Sequence, residues 1–228
     1  MLRINPYYLL IAMIALTLLA APAGAIPLLY DTQPEWAAAV SNIITTTFDG
    51  QAGPAAFTWY NSAGGLTVSG VNFVGVTGEV GDYKLKVYNP SYDSLFERGS
   101  GPSLGGGWSP GYIQATLPAG GVTALAFNFA TEVVSQNVTI SLSSGDSYTL
   151  TSPANSTMKF FGLTSAVPIA SVQFSANGTS TMVDNFAYGD LPAEETSEPA
   201  AILLGATGLA GIWLARRLRR YSDARAAA

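Results

Sequence analysis

The sequence predicts an all-β protein: two antiparallel sheets packed as a jelly-roll-like sandwich, with one short helix near the start. Three observations lead there. Residues 71 to 188 hold nine short runs rich in β-branched and aromatic residues. Several of these runs alternate apolar and polar residues, and Asn, Asp and Gly sit between them at turns. Only one stretch carries a helix-start signature.

That stretch comes first. Thr32-Gln33-Pro34-Glu35 fits a capping box, with a hydroxyl at the cap, an early Pro and a Glu three residues on. Trp36–Val40 continues it, for about two turns in all. The predicted strands then follow as Val71–Val76, Tyr83–Tyr88, Tyr112–Thr116, Val122–Phe129 and Val138–Leu142. Tyr148–Thr151, Met158–Leu163, Ile169–Phe174 and Met182–Tyr188 complete the set. In Leu125-Ala126-Phe127-Asn128-Phe129 the odd positions share one sheet face. Val138, Ile140 and Leu142 do the same against Thr139 and Ser141. Ser144-Gly145-Asp146 and Asn177-Gly178 read as hairpin turns, because these residues tolerate positive φ. Gly99–Gly111 reads as one Gly-rich loop. No repeat is visible, which argues against a propeller or solenoid.

Composition removes whole classes of function. Among 228 residues, 25 are charged (10 basic, 15 acidic), while Gly contributes 24 and Ser plus Thr 41. With no His, imidazole bases and His-ligated metals are excluded. With no Cys, thiol nucleophiles, structural zinc and disulfides are excluded. A net charge of −5 argues against a nucleic-acid partner. Residues 26–190 alone carry 11 acidic and 4 basic side chains, about −7.

The termini read as export signals. Arg3, the apolar run Tyr7–Ala21 and the small-residue site Ala23-Gly24-Ala25 describe a secretory signal peptide over 1–25, cleaved after Ala25. Ser197-Glu198-Pro199 precedes the uncharged stretch Ala200–Ala215, and Arg216, Arg217, Arg219 and Arg220 follow. As a helix that stretch would extend about 24 Å. Snorkelling arginines lengthen it towards a hydrocarbon core of about 30 Å. The arginines should remain cytoplasmic and stop transfer. The resulting order is signal peptide 1–25, sandwich 26–190, acidic linker 191–196, sorting segment 197–220 with a transmembrane helix, and cytoplasmic tail 221–228. Leu191-Pro192-Ala193-Glu194-Glu195 begins like a sortase motif but lacks its Thr-Gly.

The short motif, apolar helix and Arg cluster resemble the PEP-CTERM sorting signal, over about the last thirty residues. Ser197 stands where that family has its first Pro. The resemblance implies handling by the membrane protease-transpeptidase exosortase. It further implies delivery to the cell envelope or extracellular matrix of a Gram-negative, exopolysaccharide-producing bacterium. A second resemblance rests on the Trp-containing helix, Thr47-Phe48-Asp49-Gly50, Gly70-Val71-Asn72-Phe73 and Val183-Asp184-Asn185-Phe186-Ala187-Tyr188-Gly189. These look like the extracellular jelly-roll domains placed ahead of such tails, which are similar to carbohydrate-binding sandwiches.

Gly101-Pro102-Ser103-Leu104-Gly105 matches the G-x-S-x-G elbow of hydrolases, but the chain has no His to serve it. Ser156-Thr157-Met158-Lys159 matches S-x-x-K without the companion motifs. A secreted glycan-active enzyme using two carboxylates is the alternative to a non-enzymatic domain that binds polysaccharide or partner proteins. Asp31, Asp93, Glu97 and Asp146 read as cap, loop or turn residues. Asp49, Asp184 and Asn185 offer hard oxygen ligands suited to Ca²⁺, should the first and last strands pair. In the other reading Asp49 starts a turn with Gly50, and Asp184 bonds local backbone amides. Among the aromatics, strand positions suit cores and cross-strand pairs. Loop residues Tyr92 and Trp108 are therefore the expected polysaccharide contacts. Sequons at Asn137, Asn155 and Asn177 are unsurprising in a chain so rich in Ser and Thr.

Overall fold

The computed structural model describes residues 26–60, 62–76, 85–90, 101–106, 111–132, 135–153 and 157–192. The chain divides into two units, Met1–Pro192 and Ala193–Ala228, and every described residue lies in the first. Signal-peptide residues Ala23 and Ala25, contacts Tyr92 and Trp108, and acids Asp93 and Glu97 lie outside the described residues. So do Asn155, Ser156, the motif Ser197-Glu198-Pro199 and the arginines 216, 217, 219 and 220. Among the described residues no helix is long and apolar enough to cross a membrane.

The all-β expectation holds: two antiparallel sheets and one short helix. The first sheet contains β1 (Leu28–Tyr30), β2 (Ser41–Thr46), β3 (Phe57–Trp59), β6 (Leu85–Tyr88) and β7 (Ser103–Gly106). It is completed by β9 (Val122–Thr131), β12 (Lys159–Ile169) and β14 (Thr181–Asp190). Its order is β1-β12-β9-β14-β7-β6-β3, with β2 also paired to β14. The second sheet contains β4 (Leu66–Val68), β5 (Val71–Val76), β8 (Tyr112–Thr116), β10 (Asn137–Leu142), β11 (Ser147–Thr151) and β13 (Ser171–Ala176). It runs β11-β10-β13-β8-β5-β4.

The alternating residues meet between the sheets. Phe127 from β9 touches Phe129, Phe161, Phe174 and Phe186, with ring centroids 4.7 to 6.4 Å apart. Phe73 adds an edge-on contact to Phe186 at 5.3 Å. Val138, Ile140, Leu142 and Val172 close the other side of the same core. Offset and edge-on contacts of this kind add to the apolar area that the rings bury.

Helix α1 (Gln33–Ala38) lies on the outer face of the first sheet. The sheet makes room for it with small residues: Gly162 pairs with Ala126, which pairs with Ala187. A methyl group on Gly162 would stand 2.9 Å from Trp36, so glycine is required there. The Trp36 indole donates to the Leu163 carbonyl at 3.1 Å, which anchors the buried ring at both its apolar and polar ends.

Four features correct the sequence reading. The helix is 6 residues long, because its chain turns at Ala39 and enters β2. The Thr32 hydroxyl donates to the Glu35 carboxylate at 2.8 Å, so the expected reciprocal cap to the backbone is not formed. Gly99–Gly111 is not one loop: Ser103–Gly106 forms β7, wholly buried between β6 and β14. Strands β1, β2, β3 and β4 also exceed the predicted set, since they are short or lack alternation.

Phe127→Ala should cost about 3–5 kcal/mol, because it opens a cavity against four rings; urea denaturation checks this, and a loss below about 1 kcal/mol would contradict the packing. Alkaline pH gives a second test. Burial raises the Tyr148 phenol above 10.0, and the Asp146 carboxylate adds to this. The fold thus prefers the protonated phenol. Its contribution is complete below the unfolded value and is lost as pH rises through the raised folded value. Tyr148→Phe should flatten the decline in stability above pH 10.0.

Candidate functional site

One strand organises the outer face of the first sheet. Along one edge of β14, Thr181–Val183 pair with β7 and Phe186–Asp190 pair with β2. Between them the register against β9 shifts at Asp184/Ala187, and Asn185 adopts φ 49. This bulge returns Phe186 to the core, and it opens the edge where β2 ends and β7 begins.

Asp184 and Asn185 form that bulge, and Asp49 follows the end of β2. Asp49 lies three residues beyond Thr46, which pairs with Phe186. Its Oδ1 lies 3.0 Å from where a methyl group on Gly101 would stand. The local contacts of the other reading are present at both acids. Gln51 N–H donates to the Phe48 carbonyl at 3.0 Å, closing a turn over Asp49 and Gly50, whose φ is 75. Asp184 is buried, and its Oδ1 accepts the Asn185 N–H at 2.7 Å. The Asn185 side-chain amide donates to its Oδ2 at 3.3 Å. Among the described residues no three His, Cys, Asp or Glu side chains group as a metal site. Asp146 is a turn residue, accepting from the Ser144 hydroxyl at 2.8 Å.

A group of aromatic residues stands on the strands of the first sheet. Directly opposed residues point to the same face, and Trp59, Lys86, Gly105, Met182 and Ala130 form one row across β3, β6, β7, β14 and β9. The next row begins Phe57, Tyr88, Ser103. Gly105 is needed because a methyl group there would meet the Tyr88 ring at 2.1 Å. The Lys86 ammonium stands 4.6 Å from the Tyr88 centroid, 4.8 Å from Phe57 and 5.6 Å from Trp59. It also bonds the Glu132 carboxylate at 2.9 Å, with the two side chains 10% and 14% exposed. Glu132 is held there by its own N–H, which donates to the Ser180 carbonyl.

The cation's contacts fix three ring positions, and the outermost ring remains open: Trp59 is 40% exposed. Phe57 braces it at 5.9 Å. A fixed, half-open indole on a sheet face, next to a charge pair, can stack on one apolar side of a ligand and hydrogen-bond at its rim. The Phe57-x-Trp59 and Lys86-x-Tyr88 spacings carried this signal in the sequence, since residues two apart on a strand share a face.

No protein-family model matches the chain, and no curated protein matches it in sequence. Among solved structures it is similar to a carbohydrate-binding module of family 29. Identity is 15% and the TM-score 0.33, over 71% of this chain and 98% of the module. Variants of such a module in complex with cellulohexaose and mannohexaose match at 15% and 14% identity. Their TM-scores are 0.31 and 0.32, covering 59% and 61% of this chain and 92% and 96% of theirs. Scores this low transfer neither ligand nor site to this chain.

Lys86→Met should destabilise by about 3 kcal/mol, because a mostly buried carboxylate loses its counter-charge. Adding Glu132→Leu should restore most of the loss, since an apolar pair needs no neutralisation. Denaturant titration of both variants checks this; equal stability of Lys86→Met and the parent would contradict it.

Proposed function

We propose that the domain binds polysaccharide without turning it over, and that Trp59 is its principal contact. The observation that carries this reading is the half-exposed indole, held on the sheet face by Phe57 and the Lys86 ammonium. A sugar ring has an apolar C–H face that covers an indole and hydroxyls at its edge. The Lys86 ammonium, 5.6 Å from the indole centroid and paired with Glu132, holds the ring in place for that contact. Rigid aromatics lose little conformational freedom on binding, which suits them to this role.

The export signals complete the reading. The precursor is held in the inner membrane by the apolar segment Ala200–Ala215 and its arginines, then processed at Ser197-Glu198-Pro199 by an exosortase-type protease. The sandwich thereby reaches the cell envelope or extracellular matrix. In the described domain the chain enters at β1 and leaves after β14, next to the starts of β9 and β2. Leu28 pairs with Thr164, Gly189 with Ala124 and Asp190 with Ser41. Exposed Ile26, Leu28 and Val167 sit at or near that end.

Trp59→Ala should weaken binding to neutral polysaccharide about tenfold or more, as loss of a central aromatic contact does. Its stability should stay near that of the parent. Release of shortened sugars during the same assay would favour a carboxylate enzyme instead. For sorting, Glu198→Ala or deletion of Arg216, Arg217, Arg219 and Arg220 should leave precursor in the membrane fraction. Normal release of either variant would overturn that part of the reading.

A further inference from the structure

The opposite face of the sandwich has a chemistry of its own. On β8, β10, β11 and β13 the apolar positions point into the core, so the alternate positions point outward. Register aligns these into rows. Thr149 pairs with Thr139, which pairs with Ser175. Ser147 pairs with Ser141, then Gln173, then Gln114 and, at the far end, Val74 on β5. Ser171 pairs with Thr116, then Asn72 on β5 and Thr67 on β4. No outward position on these rows is Lys, Arg, Asp or Glu, whereas protein surfaces are usually about a quarter or more charged.

The hydroxyls and amides hold one another in place while keeping capacity to spare. Thr139 and Thr149 hydroxyls lie 3.4 Å apart, and Ser141 and Ser147 hydroxyls 3.2 Å. The Gln173 amide donates to the Gln114 carbonyl at 3.2 Å. The Thr151 hydroxyl donates to the Asn137 carbonyl at 3.0 Å. Short O–H···O bonds are about 2.7–2.8 Å, so the hydroxyl pairs are loose. Each hydroxyl can donate once and accept twice, and a single loose contact leaves most of that unused. The rows form a lattice of such groups, roughly 4.8 Å apart across strands and about 6.7 Å along them. At one end the lattice sinks into a depression of about 390 Å³, lined by Gly111, Asn137, Thr139, Thr149, Ser175 and Asn177 among others.

We infer that this face is a second binding surface for a neutral glycan chain, seated in the depression at Thr139, Thr149 and Ser175. The chemistry selects the occupant. A charged partner would meet no counter-charge across these rows. A protein partner normally seats apolar or aromatic anchors in enclosed pockets, whereas this depression is open and mixes hydroxyls and amides with its apolar atoms. A peptide strand adds at sheet edges and not on faces. A polyol both donates and accepts at closely spaced positions, as the rows do. Because this face belongs to the other sheet, it stands independently of Trp59. Together the two surfaces make the domain a cross-linker of polysaccharide chains.

The test is calorimetric titration of the full chain in detergent with cellohexaose and mannohexaose. The variants are Thr139→Ala with Ser175→Ala, the conservative exchange Thr139→Ser with Ser175→Thr, and Trp59→Ala. The inference predicts that the double alanine variant loses at least tenfold in affinity at one of two sites, that the conservative exchange retains it, and that Trp59→Ala affects the other site. Loss in the double alanine variant alone would keep this inference and overturn the role of Trp59. Loss in Trp59→Ala alone, with the double alanine variant unchanged, would overturn this inference and keep that role. Absence of binding to the parent chain would overturn both.

Discussion

The arrangement of the first sheet depends on the bulge at Asp184–Asn185. A regular strand pairs with one neighbour along each edge. Here a single extra residue, with Asn185 at φ 49, lets β14 serve β7 and then β2 along the same edge. The same residue restores Phe186 to the inner face, where it meets Phe73, Phe127 and Phe174. Asp184 satisfies the strained amide that the bulge creates. The acid that looked like a calcium ligand therefore has structural work in the bulge itself.

From β7 the consequences run outward to the surface. Because β7 is held against β14, Gly105 lies beneath the Tyr88 ring, and Tyr88 in turn contacts Lys86 and Phe57. A cation surrounded by three rings and one carboxylate fixes groups that would otherwise be mobile on an edge strand. Trp59 is positioned at the end of this chain of contacts. Through Lys86, Tyr88 and Gly105 its place is linked to the bulged strand at the centre of the sheet.

The sequence showed those elements whose burial follows a simple period. Val71–Val76 and Tyr112–Thr116 were legible to the residue because their apolar positions alternate against a single core. Ser103–Gly106 was not, since its glycines mark close packing against a tyrosine and not a turn. Ser41–Thr46 was missed for another reason: most of it is exposed and Asn42 has φ 55, so no alternation survives. The helix start was visible, yet its two polar groups bond each other and leave the backbone cap unmade. For the site, Trp59 was visible as an aromatic but its partners were not. Lys86 and Glu132 meet only through strand pairing across 46 residues. The hydroxyl rows of the second sheet are likewise a property of register, which composition alone reflects only as an excess of Ser and Thr.

These two faces give sparse charge a physical use. Few charged groups lie on the described surfaces that would meet a ligand, and the one ion pair among them is neutralised within itself. In the proposed function, binding would rest on stacking at one face and hydroxyl contacts at the other, both weakly dependent on salt. The most direct measurement is a map of amide and indole resonance shifts in the isotope-labelled full chain as mannohexaose is added. The account predicts shifts at the Trp59 indole and along the Lys86–Gly105–Met182 row, together with shifts on β10 and β13. Shifts confined to residues off both faces, with Trp59 and Thr139 unmoved, would contradict it.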